Sequence, residues 1–165
     1  MATIEMYEDI LDWCFNHANI LEAKDEEDKR NLLHIASMKG YAPIVTNLIT
    51  KGAKVDLKDK HEDTSLHLSS KEGHRKVAEI LIQNGANVNI QGAEEMTPLH
   101  HAADWSSENI EMTKLLLKNG ADVHSQGKLE VTPLHCAKNK DIMKLLFQHG
   151  AKNELKDKLS FTPLH

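Results

Sequence analysis

The chain has 165 residues, a net charge of −5 with its histidines neutral, and only 4% aromatic residues. The length fits one domain, the acidic balance argues against a nucleic-acid or anionic-membrane surface, and the scarcity of rings argues against a single core built on them. No apolar run approaches the ~18 residues of a membrane span, and the acidic opening from Met1 to Asp12 lacks the basic start of a secretory leader. The first stretch is amphipathic: Ile4, Tyr7, Leu11 and Cys14 share one helical face, with Ile10, Trp13 and Phe15 beside it. Residues 1–25 therefore read as a helical N-terminal cap.

From Asn31 a tetrad recurs. Asn31-Leu32-Leu33-His34 is followed by Thr64-Ser65-Leu66-His67, Thr97-Pro98-Leu99-His100, Thr132-Pro133-Leu134-His135 and Thr162-Pro163-Leu164-His165, with starts 33, 33, 35 and 30 residues apart. A second marker keeps phase with it. Gly52-Ala53, Gly85-Ala86, Gly120-Ala121 and Gly150-Ala151 each place their glycine 12 residues before the next tetrad. Two phase-locked markers at one period define a repeat array.

Each unit reads as a helix pair. Thr97 suits a helix cap, and Pro98 suits the first helical position, where its missing N–H costs nothing. Leu99, Ala102 and Ala103 make a thin first helix of about two turns. A bend through Ser106 and Ser107 offers caps for a second helix, on which Ile110, Met112, Leu115, Leu116 and Leu117 form an apolar stripe. Gly120 ends that helix. One unit cannot bury its stripe alone, so stability must come from stacking. The spacing gives units at 26–58, 59–91, 92–126 and 127–156, with the start of a fifth at 157–165. The third carries two extra residues near Trp105 to Glu108, and the fourth is short by three.

The period, the Thr-Pro-Leu-His tetrad and the Gly-Ala after a leucine-rich helix resemble the ankyrin repeat, over roughly residues 26 to 165. The resemblance implies an all-α ankyrin-repeat solenoid: stacked antiparallel helix pairs joined by β-hairpin-like loops, with a concave face that binds other proteins. The family's glycine two residues before the tetrad is missing. Lys29, Glu62, Glu95, Glu130 and Ser160 stand there, which leaves the geometry of the hairpin tips open.

Little in the chain reads as chemistry. The tetrad histidines recur in a ladder rather than a converging cluster, and the resemblance implies a structural, hydrogen-bonded role for them. No His-Glu-x-x-His, paired Cys-x-x-Cys, phosphate loop or nucleophile elbow occurs, so no metal, cofactor or catalytic residue is expected. Cys14 and Cys136 read as reduced thiols of a cytoplasmic protein; the nucleus, or a host cytosol for an exported effector, is the alternative.

The family offsets put the variable, exposed side chains in columns. The residue before each tetrad reads Arg30, Asp63, Met96, Val131, Phe161; two residues further back the series is Asp28, His61, Glu94, Leu129, Leu159. Both turn from polar to apolar along the chain. The ends of the first helices add Met38, Lys71, Asp104, Trp105 and Lys140. The expected partner-binding set is Arg30, Met38, Lys60, His61, Asp63, Lys71, Glu94, Met96, Asp104, Trp105, Lys128, Leu129, Val131 and Lys140. Met96, Trp105, Leu129 and Val131 form its apolar centre, the composition of an interface core. The competing reading makes Leu129 and Val131 fillers between hairpins and packs Trp105 over the inserted bend. The expected function is a non-catalytic protein-interaction module, an adaptor or scaffold whose partner is another protein. The alternative is the recognition arm of a larger enzyme or secreted effector, and the uncapped C-terminal face offers a site for self-association.

Overall fold

The computed structural model describes residues 21, 23–104, 109–159 and 161–163. The expected N-terminal cap, apart from its last few residues, and Trp105, Ser106 and Ser107 lie outside them. Among the described residues eight α-helices follow in pairs: α1 (Leu32–Lys39) and α2 (Ala42–Thr50), α3 (Ser65–Lys71) and α4 (Arg75–Gln83), α5 (Pro98–Asp104) and α6 (Ile110–Lys118), α7 (Pro133–Cys136) and α8 (Lys140–Gln148). The first helices α1, α3, α5 and α7 pack in one row and the second helices α2, α4, α6 and α8 in another. This is the all-α solenoid implied by the repeat markers.

Two leucine columns form the core. Leu33, Leu66, Leu99 and Leu134 come from the tetrads, and Leu48, Leu81, Leu116 and Leu146 from the second helices; all are buried. Burying each side chain fully is worth about 2 kcal/mol. Alanines at Ala102 and Ala103, and serines at Ser69 and Ser70, are also buried and keep the first helices thin. The three-residue deletion in the fourth unit falls on its first helix, which has only 4 residues against 7 in α5.

The Gly-Ala marker closes each second helix. Gly52, Gly85, Gly120 and Gly150 have φ between +84° and +95°, and a Cβ on any of them would meet nothing within 4 Å. Glycine is therefore required by backbone conformation, not by space. The alanine N–H then reaches back to the helix: Ala53 to Leu48, Ala86 to Leu81, Ala121 to Leu116 and Ala151 to Leu146, all at 3.0 Å. These bonds satisfy end-of-helix carbonyls in a Schellman arrangement.

The connecting loops are tight hairpins. Asp59, Gly92, Gly127 and Asp157 donate from their backbone N–H to the carbonyls of Asp63, Met96, Val131 and Phe161, at 2.8–2.9 Å. The non-glycine tip positions adopt the left-handed region all the same: Lys29, Glu62, Glu95 and Glu130 have φ of +56°, +69°, +58° and +62°. Glu94 and Leu129 join them at +53° and +62°, so the third and fourth tips are left-handed at both central residues, as type I′ turns require. Substituting the family's glycine leaves the turn in place and adds strain.

The serines expected to cap α6, Ser106 and Ser107, lie outside the described residues. Asn109 directly precedes the helix, and its side-chain amide donates to the Ser70 carbonyl of the previous unit at 3.0 Å.

Candidate functional site

The tetrad histidines are part of the scaffold. In each unit the Nδ1 atom accepts the backbone N–H of the tetrad's first residue: Asn31 to His34 (3.2 Å), Thr64 to His67 (3.1 Å), Thr97 to His100 (3.0 Å) and Thr132 to His135 (3.1 Å). Each threonine hydroxyl turns onto the same nitrogen at 2.8–2.9 Å. The Nε2 atom points to a carbonyl of the next hairpin: Leu57 (2.8 Å), Met96 (3.1 Å), Val131 (2.9 Å) and Phe161 (3.3 Å). An amide N–H can only donate and a carbonyl can only accept, so the His67 and His100 rings are neutral with the proton on Nε2, whereas at His34 the Asn31 Oδ1 atom also lies 2.7 Å from Nδ1. Burial pushes His67 and His100 down to about 4, and it lowers His34 as well. Among the described residues no group of three or more His, Cys, Asp or Glu side chains is arranged to hold a metal ion. Cys136 is half-buried, and burial raises its thiol to about 12, with the Asp104 charge adding to the shift. Such a thiol carries almost no thiolate at neutral pH.

The hairpin tips differ from one end of the array to the other. At the first two tips the charges satisfy one another. Arg30 donates from Nε to Asp59 Oδ2 at 3.0 Å and from Nη1 to Asp28 Oδ2 at 2.9 Å, and the Asp59 side chain is fully buried. Lys60 donates from Nζ to the Glu27 carbonyl at 2.7 Å, and His61 Nε2 lies 3.0 Å from Asp28 Oδ1. Asp28 is held below the usual carboxylate range first by His61, then by the charges of Arg30 and Lys60. Asp63 departs from the exposed column expected of it. It is buried because its Oδ1 accepts the Ala93 N–H of the third hairpin at 3.0 Å.

At the far end the tips are apolar. Leu129 is 44% exposed, Leu159 61% and Phe161 52%. The Lys158 N–H donates to the Leu129 carbonyl at 2.9 Å, which sets the last two tips side by side. Met96 and Val131 are half-buried, between filler and surface. Lys128 pairs with Glu94 at 2.9 Å across the tips, and Lys138 pairs with Asp104 at 2.6 Å across the first helices. All four are well exposed, so these pairs hold little energy. Lys71 is exposed and Met38 half-buried at the ends of the first helices, whereas Lys140, also exposed, does not end a first helix as expected but opens the second helix α8; Trp105 lies outside the described residues. Leu159 and Phe161 belong to the same two columns as Leu129 and Val131, so periodicity could have added them to the expected set.

No helix among the described residues is long and apolar enough to cross a membrane. The family model for ankyrin repeats in three copies matches the chain in overlapping stretches, residues 1–92, 33–127 and 99–165. No curated protein matches the chain closely enough to serve as a relative. Ankyrin repeats are generally non-catalytic modules that bind other proteins. With its tetrads, its Schellman glycines and its histidine ladder in phase from end to end, the chain belongs to the ankyrin-repeat family.

Proposed function

We propose that this chain is a non-catalytic adaptor or scaffold that grips a partner polypeptide along its hairpin tips and first helices, with the contact centred on the last three tips. One observation carries the reading. Leu129 holds a left-handed backbone, φ +62°, while leaving 44% of its side chain in water. Neither feature favours folding: the backbone costs about 1 kcal/mol in a non-glycine residue, and the exposed leucine contributes little burial. Strain of this kind concentrates where a side chain is displayed for contact. The neighbouring Leu159 and Phe161 extend the same apolar edge.

Met96, Val131 and Trp105 belong to the contact as its flank, and Glu94, Asp104, Lys128, Lys71 and Lys140 as its polar rim. Arg30, Lys60 and His61 serve the array internally. A reducing compartment, cytoplasm or nucleus, suits a protein whose described cysteine, Cys136, is free and half-buried.

The test is affinity capture from lysate with wild type and with Leu129→Asp, alongside thermal melts of both. The expected result is loss of a captured partner with a melting temperature within a few degrees of wild type. Capture unchanged by Leu129→Asp, or a partner lost only together with the fold, would overturn the assignment.

A further inference from the structure

We infer that Asn84-Gly85 and Asn119-Gly120 are guarded sites of spontaneous deamidation, at which modification records the opening of the second and third repeats rather than the age of the chain. The substrate is the asparagine side chain itself, and water is the co-reactant.

Of eleven asparagines only these two precede glycine. They occupy the same position of successive units, the residue after the second helix, where the first and fourth units carry Lys51 and His149. Glycine has no side chain to shield its backbone nitrogen, and both asparagines are exposed to water and base. The Gly85 nitrogen gives up its proton to hydroxide and attacks Asn84 Cγ. The N–Cγ bond forms, the Cγ–Nδ2 bond breaks and ammonia leaves. Water then opens the five-membered imide at either carbonyl, giving an aspartate or an isoaspartate. Asn119 and Gly120 react alike.

The folded helix end holds nucleophile and leaving group apart. The Gly85 N–H donates to the Ile82 carbonyl at 3.0 Å and the Gly120 N–H to the Leu117 carbonyl at 3.1 Å. Asn84 Nδ2 donates to the Ile80 carbonyl at 2.8 Å and Asn119 Nδ2 to the Leu115 carbonyl at 2.7 Å. Ring closure needs the asparagine Cβ and the glycine nitrogen on the same side of the Cα–C bond. At ψ of +22° and +19° they lie nearly opposite. Rotating that bond pulls the Ala86 and Ala121 N–H groups off the Leu81 and Leu116 carbonyls, so each site opens only with the end of its helix.

The product closes poorly. The asparagine amide donates to a carbonyl of the helix's last turn, a role His149 fills in the fourth unit from Nδ1 to the Leu145 carbonyl at 2.8 Å. A carboxylate there has no hydrogen to give, and it sets a negative charge at the negative end of the helix dipole. The isoaspartate also adds a methylene to the main chain inside the Schellman turn. Each opening that reacts therefore leaves its unit less stable than before.

Peptide mapping by mass spectrometry tests this on the full chain at pH 8, beside two reference peptides, residues 80–89 and 115–124, in the same buffer. The folded rate is the free rate times the open fraction, so each site should react at least about tenfold slower in the folded chain than in its peptide. At the urea midpoint, where half the chains are open, the rates should come within about twofold of the peptides in the same urea. Equal rates in the folded chain and the peptides would overturn the guard. Reaction at Asn87, Asn139 or Asn153 ahead of Asn84 and Asn119 at the midpoint would overturn the choice of sites. Asn84→Asp should lower the folding constant about fivefold, and Asn84→His should keep it near wild type. An Asn84→Asp variant as stable as wild type would overturn the claim that modification weakens its repeat.

Discussion

His100 reaches from one repeat into the next: its Nε2 donates to the Val131 carbonyl 2.9 Å away, while its Nδ1 holds the Thr97 N–H at 3.0 Å. One ring thus caps its own helix and ties down the hairpin that follows. His34, His67 and His135 repeat the arrangement.

The ladder makes the fold acid-sensitive. Protonating Nδ1 would set two donors face to face, and burial already holds His67 and His100 to about 4, with His34 and the neighbouring His101 also lowered by burial. The folded values lie below the unfolded value of about 6.5. The unfolded chain therefore binds more protons as pH falls from about 6.5 toward 4, and stability falls with it. Each such histidine contributes up to about 1.4 kcal/mol per pH unit in that window. Carboxylates held low, such as Asp28 and Glu111, act below it. Urea midpoints at pH 7.5 and pH 5 should differ by several kcal/mol in stability, and His100→Gln should show a shallower slope. A flat profile across that range would contradict the neutral ladder.

Strain at the tips is removable. Glu95 and Glu130 occupy left-handed backbone at φ +58° and +62° where glycine would sit without penalty. Glu95→Gly and Glu130→Gly should each stabilise the protein by about 1 kcal/mol, after allowing for the greater freedom of glycine in the unfolded chain. Leu129→Gly should stabilise similarly but weaken partner capture. Chemical denaturation of the three variants separates the effects.

What could be read before folding follows from how local each feature is. The leucine columns, the glycine caps and the scaffold role of the histidines all recur at one period, so position alone identifies them. The missing tip glycines were visible as well, but only the backbone shows that Glu62 and Glu95 bend as glycine would. Partnerships between units were not legible. Nothing local indicates that Arg30 pairs with Asp59, 29 residues on, or that Lys60 reaches back 33 residues to the Glu27 carbonyl. By position alone, Arg30 and Lys60 therefore fall in the expected partner-binding set. The burial of Asp63 is invisible to position for the same reason, its donor Ala93 being 30 residues distant.

The Arg30–Asp59 pair gives a third expectation. The Asp59 side chain is fully buried, and Arg30 is largely so. Arg30→Met leaves a buried carboxylate with only the His61 and Asp63 amides on its Oδ1. Breaking such a pair costs about 3 kcal/mol. Adding Asp59→Asn should recover part of that loss, because the amide carries no charge and can still accept the two N–H bonds. Equal instability of the single and double variants would show that Arg30 acts through packing alone.

Gly92 offers a test of how the hairpins stack. Its φ is −112°, so no left-handed backbone demands glycine there. The constraint is space. A Cβ would overlap Asp63 Oδ1 and stand 2.8 Å from His67 Nε2. Neither atom can move freely, since Asp63 accepts the Ala93 N–H at 3.0 Å and His67 holds the Met96 carbonyl at 3.1 Å. Gly92→Ala should therefore cost about 1–3 kcal/mol, the range for forcing a methyl group into packed structure. Gly85→Ala serves as the contrast: it meets no neighbour within 4 Å but sits at φ +88°, so its penalty is conformational. The two mechanisms separate in a double-mutant cycle with Asp63→Ala. Truncating Asp63 opens room beside Gly92, so the Gly92→Ala penalty should shrink in that background, whereas the Gly85→Ala penalty should add unchanged. Strict additivity for both glycines would mean that Asp63 is not what excludes a side chain at position 92.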